Sequence, residues 1–163
     1  DAANQIRARL DGVKAQMEDA LKLRTPGGKA ALGKYAWAPS SDKGDTVEAA
    51  YAGRECFALK IGPNGGGDFR LQLSLSPGRY RLEGKIHYKG VKAGDGDAKG
   101  VRLRTSGSPA EPKNPPATGD GTWKSFTHEF TVTDADPVLV AELRGTAGEA
   151  WVDRNALTVT RLP

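Results

Sequence analysis

Residues 138–162 read VLVAELRGTAGEAWVDRNALTVTRL, two runs of apolar–polar alternation joined by a Gly-containing turn. A period of two marks a half-buried strand, because successive side chains point to opposite faces of a sheet. In the first run Leu139, Ala141 and Leu143 share one face, and Val138, Val140, Glu142 and Arg144 share the other. Residues 145–149 turn the chain, and 151–160 return. A chain that ends this way closes a sheet with its C-terminus. The preceding residues must supply the partner strands.

They do so at short, regular spacing. KYAWAPS (34–40) and residues 46–51 read as strands, and ECFALKI (55–61) puts Phe57, Leu59 and Ile61 inward. FRLQLSL (69–75) alternates cleanly, with Phe69, Leu71, Leu73 and Leu75 inside. RYRLEGKIHYK (79–89) puts Tyr80, Leu82, Ile86 and Tyr88 on the inner face. Val101, Leu103 and Thr105 point in against Arg102 and Arg104, and WKSFTHEFTV (123–132) turns Phe126, Phe130 and Val132 inward. Tyr80 and Trp151 lie within apolar alternation and read as core. About eight strands separated by turn signals predict an all-β fold, an antiparallel β-sandwich. The 21 glycines and 10 prolines supply those turns. No segment after residue 24 repeats a helical period, which excludes a βαβ architecture.

The exception is the start. Ile6, Leu10, Val13, Met17 and Ala20 recur at spacings of four and three, which predicts one amphipathic helix over residues 1–24. Pairs four apart such as Arg7 with Asp11 and Lys14 with Glu18 support it, and Asp1 is placed to cap it. The expectation is that this stripe packs on the sandwich; the alternative is a short coiled-coil stalk that self-associates or meets a protein partner. Thr25-Pro26-Gly27-Gly28 ends the helix. The predicted organisation is a helix over 1–24, a linker over 25–34 and a sandwich over 35–163.

Several function classes fall away. A net charge of +4 is spread among mixed charges with no basic block, so no nucleic-acid partner is expected. One cysteine, Cys56, forms no intramolecular disulfide. Nothing approaches a membrane-spanning length, and no membrane contact is expected of this segment. No nucleophile elbow, His-Glu zinc pattern or P-loop is present, and Gly65-Gly66-Gly67 lacks the Lys and hydroxyl of a phosphate cradle. A non-catalytic domain is expected, with no catalytic residues.

The CFALKI strand, the SPGRYRLEGKI run, WKSFTHEFTV and the closing GEAWVDRNALTV together carry a resemblance. Over residues 35–162 the chain resembles jelly-roll carbohydrate-binding modules with a galactose-binding-like fold. Within that group it resembles C-terminal extracytoplasmic extensions of bacterial serine/threonine kinases, through ELRG…GEAWVD. The resemblance implies a jelly-roll sandwich within a larger bacterial signalling or surface protein, placed in the periplasm or at the cell surface. It also implies a structural calcium bound by an acid at the position of Asp153 and by backbone carbonyls, to which Asp42 or Asp45 could contribute; without metal, Asp153 caps a turn or pairs with an arginine. Arg154 departs from that pattern, since it stands where an acid is frequent.

Sugar sites combine an aromatic face with polar groups that hold hydroxyls. The outward positions Arg81, Lys85, His87, Arg102 and Arg104 form a polar, partly basic set that suits an anionic polysaccharide; as an ordinary solvated face they would simply ion-pair across strands. Trp123, between a long loop and a strand, is the predicted ligand-facing aromatic. Tyr35, Trp37 and Tyr51 sit beside loops where a rim site could form.

Overall fold

The computed structural model describes residues 1–40, 45–62, 66–97, 99–108 and 113–163; side chains 45 and 46 are also left out. Helix α1 covers Ala2–Lys22, and the Asp1 carboxylate caps it by accepting from the Asn4 amide at 2.9 Å. The strands are β1 (Lys29–Ala31), β2 (Ala38–Pro39), β3 (Asp45–Tyr51), β4 (Arg54–Lys60), β5 (Gly67–Gln72), β6 (Gly78–Lys92), β7 (Gly100–Thr105), β8 (Gly119–Val132), β9 (Val138–Arg144), β10 (Ala147–Asp153) and β11 (Thr158–Arg161), with a 3₁₀ turn at Arg154–Ala156. Every pairing is antiparallel. The result is the antiparallel all-β sandwich with one N-terminal helix that the spacing predicts, of the jelly-roll kind that the resemblance implies.

The long strand β6 organises the larger sheet. One of its edges carries β8 along its length, and the other is shared end to end by β11 and β10. β1 extends the sheet beyond β11, and β4 and β3 extend it beyond β10, giving seven strands. The smaller sheet runs β2-β5-β9-β7. The closing stretch is therefore not a hairpin. β9 lies in the smaller sheet and β10 in the larger, so the turn at Gly145-Thr146 is a corner between layers. The returning run is also broken by the 3₁₀ turn, where Asp153 accepts from the Asn155 amide at 3.0 Å. That break and β1 add strands that alternation does not predict, and β2 is what remains of the run over 34–40, giving eleven strands among the described residues.

The core lies between the sheets and follows the predicted parity. Phe57, Leu59, Phe69, Tyr80, Leu82, Ile86, Val101, Leu103, Leu139, Ala141 and Leu143 are buried. His128, on the face of Phe126 and Phe130, is buried too, with its Nε2 3.1 Å from the Thr105 hydroxyl. Gly84, mid-strand in β6, lets Leu103 and Leu157 close over it; a Cβ there would sit 3.0 and 2.9 Å from their methyl carbons. Two expected rim aromatics, Tyr35 and Trp37, are buried. Trp37 donates its indole N–H to the Leu32 carbonyl at 3.0 Å, which satisfies its one polar atom.

Helix α1 departs from expectation. Only its last turns meet the sandwich: Asp19 is 4 % exposed, accepts from the Tyr35 hydroxyl at 2.5 Å and pairs with Lys34 at 3.0 Å. Burial alone would raise the Asp19 pKa, but Tyr35 and Lys34 together hold it below the usual carboxylate value. Burial first, and then the same contact, pushes the Tyr35 hydroxyl up. The apolar stripe itself is uncovered, with Ile6, Leu10, Val13, Met17 and Leu21 each 54–64 % exposed. Packing on the sandwich is not its role. The buried ionic contact of Asp19 and the core residue Leu23 hold the C-terminal end, and the length before it stands clear.

Candidate functional site

The five residues of the outward charged set lie on opposite sides of the molecule, and Trp123 lies with only some of them. Arg102 and Arg104 are on β7, on the outer face of the smaller sheet. Arg81, Lys85 and His87 are on β6, and Trp123 is on β8, both in the larger sheet. Arg81 is occupied by Glu129 on β8, at 2.8 Å, and Lys85 is solvent-exposed. That part of the set is a solvated face with cross-strand pairs.

His87 and Trp123 do come together, with two aromatics that complete a patch. In the register, Trp151 stands opposite His87 on one side and Ala58 on the other. Trp151 is thus on the outer face, half-buried, with Ala150 and Val152 pointing inward on either side; its assignment to the core is corrected. Tyr51, at the end of the β3–β4 hairpin, stacks on Trp151 at 4.2 Å between ring centres and 14° between planes. The His87 ring centre is 5.2 Å from Tyr51 and 5.5 Å from both Trp123 and Trp151.

Trp123 reaches this face through a register shift. β6 and β8 pair regularly down to Ile86 with Lys124 and resume at Tyr88 with Gly121. Thr122 and Trp123 therefore face His87 alone, a β-bulge that turns the indole outward. Trp123 has φ of 46°, a left-handed backbone unusual for an aromatic residue. Strain of this kind costs about 1–3 kcal/mol and tends to occur at functional sites. The Arg54 guanidinium lies 4.2 Å over the Trp123 ring, and Asp153 accepts from its Nη1 at 2.7 Å. Cys56 lies buried on the same outer side of β4, its thiol pKa pushed up to about 11 by burial and then by the Asp153 charge. It is an inert filler rather than a reactive thiol. The His87 Nδ1 atom is buried without a hydrogen-bond partner among the described residues.

Among the described residues, the groups expected to hold calcium have other partners. Asp153 is committed to Arg54 and to the Asn155 amide. Arg154 gathers the oxygens a cation would use, donating to the Gly33 carbonyl at 2.5 Å, the Tyr35 carbonyl at 3.4 Å and the Glu48 carboxylate at 2.9 Å. Carbonyls plus a carboxylate make a hard-cation ligand set, and here a guanidinium fills it. Among the described residues no three His, Cys, Asp or Glu converge on a metal position. Asp42 and the Asp45 side chain lie outside the described residues. Melting temperature should be unchanged by calcium or by a chelator, whereas Arg154→Ala should lower it by several degrees, since each lost charged hydrogen bond is worth about 1.5–3 kcal/mol. A calcium-dependent rise in the unaltered protein would contradict this.

No protein-family model matches the chain, and no curated protein does. Solved structures do. The chain is similar to a family 35 carbohydrate-binding module from Clostridium thermocellum, at 18 % identity and TM-score 0.44, covering 76 % of this chain and 90 % of that one. It is similar to TmCBM61, solved in complex with β-1,4-galactotriose, at 17 % identity and TM-score 0.48, covering 86 % and 97 %. A family 35 module from Paenibacillus barcinonensis matches at 14 % identity and TM-score 0.44, covering 82 % and 98 %. The likeness is one of architecture. The site must be read from this chain's own residues.

Proposed function

We propose that the domain is a non-catalytic glycan-binding module whose binding surface is the patch of Tyr51, His87, Trp123 and Trp151. The observation that carries this is four rings gathered on the outward face of a sheet, one of them turned out by a strained bulge. Aromatic faces stack against the C–H faces of sugar rings, while the Arg54 guanidinium beside Trp123 supplies a polar contact that fixes hydroxyls. Sheet faces hold such a platform rigidly, so little ordering cost falls on binding. The sequence resemblance supports a place in a larger bacterial surface or signalling protein, outside the cytoplasm. Thermal melting with a panel of neutral oligosaccharides tests the reading, because a ligand of the folded state raises the midpoint by mass action. A panel that leaves the midpoint unmoved up to high millimolar sugar would count against it.

A second reading, self-association or docking through α1, is favoured by the five uncovered apolar side chains of its stripe. Sedimentation should show a concentration-dependent oligomer that Leu10→Glu with Met17→Glu abolishes. A monomer at all concentrations would remove self-association and leave docking to a different protein.

A further inference from the structure

On the outer face of the smaller sheet, β7, β9 and β5 place Arg102, Glu142 and Asp68 in one cross-strand row. Glu142 is 4 % exposed and is the hub of an unusual cluster. Its two oxygens accept from Arg102 Nε at 2.9 Å, Arg104 Nε at 2.8 Å, Arg104 Nη2 at 3.0 Å and Arg144 Nε at 2.8 Å. One carboxylate thus holds three guanidiniums, each with a side chain only 12–23 % exposed. The cluster forms the floor of an open cleft of about 480 Å³, to which Lys99 and Asp97 contribute the remaining charges.

The charges in the cleft do not balance. Among the described residues lining it, four cations, Lys99, Arg102, Arg104 and Arg144, face two carboxylates, Asp97 and Glu142, while Asp68 behind them is shared between Arg144 and Arg70. A glutamate needs one guanidinium to be satisfied, and crowding two more beside it adds like-charge repulsion that Asp68, 3.4 Å from Arg144, offsets only in part. Glu142 takes the inner donors of the arginines. Among the described residues, Arg102 Nη2 makes only a 3.4 Å contact to the Ser108 carbonyl, Arg144 Nη2 makes one of 3.4 Å to Asp68, and the Nη1 groups of both have no hydrogen bond. Lys99 has no ion pair among the described residues. The outer edges of a preset guanidinium array therefore line a cleft of the size that takes one or two sugar rings.

We propose that this cleft binds an acidic saccharide through its carboxylate, with Arg102, Arg144 and Lys99 as the donors and Glu142 as the clamp that orients them. Guanidinium edges match a planar carboxylate with two parallel hydrogen bonds. The site lies on the opposite face from the aromatic patch and does not depend on it. An acidic glycan chain could therefore be held without occupying the rings.

The test is calorimetric titration with trigalacturonate, with the neutral trisaccharide of the same linkage and with inorganic sulfate, at low and at physiological salt. Trigalacturonate should bind, weaken as salt rises, and bind about tenfold less tightly to Lys99→Ala and to Arg102→Ala, the size of one charged hydrogen bond. Trp151→Ala should bind it as tightly as the unaltered protein. Lys99→Ala carries the test if Arg102→Ala fails to fold, because Lys99 holds no other residue in place. Equal binding of the neutral trisaccharide, unchanged affinity in Lys99→Ala, sulfate binding as tightly as trigalacturonate, or no binding at low salt would each overturn the proposal.

Discussion

Glu142→Ala should melt roughly 10 °C below the unaltered protein, the largest effect of any single substitution at a charged residue here. The reason is what remains behind. Arg102, Arg104 and Arg144 would keep their places on a sheet face, mostly out of solvent, with their shared anion gone. Removing one member of a buried ion pair costs about 3–5 kcal/mol because the partner charge is left uncompensated. Val140, next to Glu142 on the same face of β9 and 0 % exposed, would lose the cover of the ordered arginines. Acid should have a related effect. Burial alone would raise the Glu142 pKa, but the hydrogen bonds from Arg104, Arg144 and Arg102 bring it down to about 2. A depressed carboxylate pKa means that the stabilisation is full above the unfolded value, near 4.5, and is lost as pH falls from there towards 2. Melting curves of the two proteins should therefore converge across that interval. Curves that stay parallel down to pH 2 would show that Glu142 is not the hub.

The second large effect is on binding. Tyr51→Ala and Trp151→Ala should each weaken neutral-glycan binding by at least about thirtyfold, while leaving the fold intact. Central aromatic anchors in a binding surface commonly carry about 2 kcal/mol or more. Tyr51 and Trp151 form the stacked pair, so either truncation leaves the other ring unsupported and opens a gap beside His87. Neither side chain belongs to the core between the sheets, so the melting midpoint should fall by only a few degrees. Calorimetric titration beside a melting curve separates the two quantities. Loss of fold with loss of binding would make the rings structural; retained affinity would place the glycan elsewhere.

Much of the fold is legible in the sequence because alternation reports inside and outside directly. β6, β7 and β9 present the faces their spacing dictates, and even His128 falls where its neighbours put it. The site is harder to read, for three physical reasons. A sandwich has two outsides, and parity does not say which one a strand serves. That is why Arg81 and Arg102 look alike in sequence and end on opposite faces. Hydrophobicity can mislead where parity is right: Trp151, between Ala150 and Val152, is outward by spacing despite its apolar bulk. A bulge also shifts parity mid-strand, so the partners of Trp123 become visible only in the register of β6 and β8. The helix teaches a similar lesson. Its stripe is plain in the sequence, but nothing in the spacing says whether anything covers it.

The most direct test of glycan binding at the aromatic patch uses the three indole N–H signals in a nitrogen–proton correlation spectrum. Trp123 and Trp151 are half-buried on the outer face, and Trp37 is 5 % exposed in the core, so the protein carries its own internal control. Titration with the neutral oligosaccharide that gives the largest melting shift should move the Trp123 and Trp151 signals together along one saturable curve and leave Trp37 in place. Saturable binding that moves neither outer indole would contradict the account.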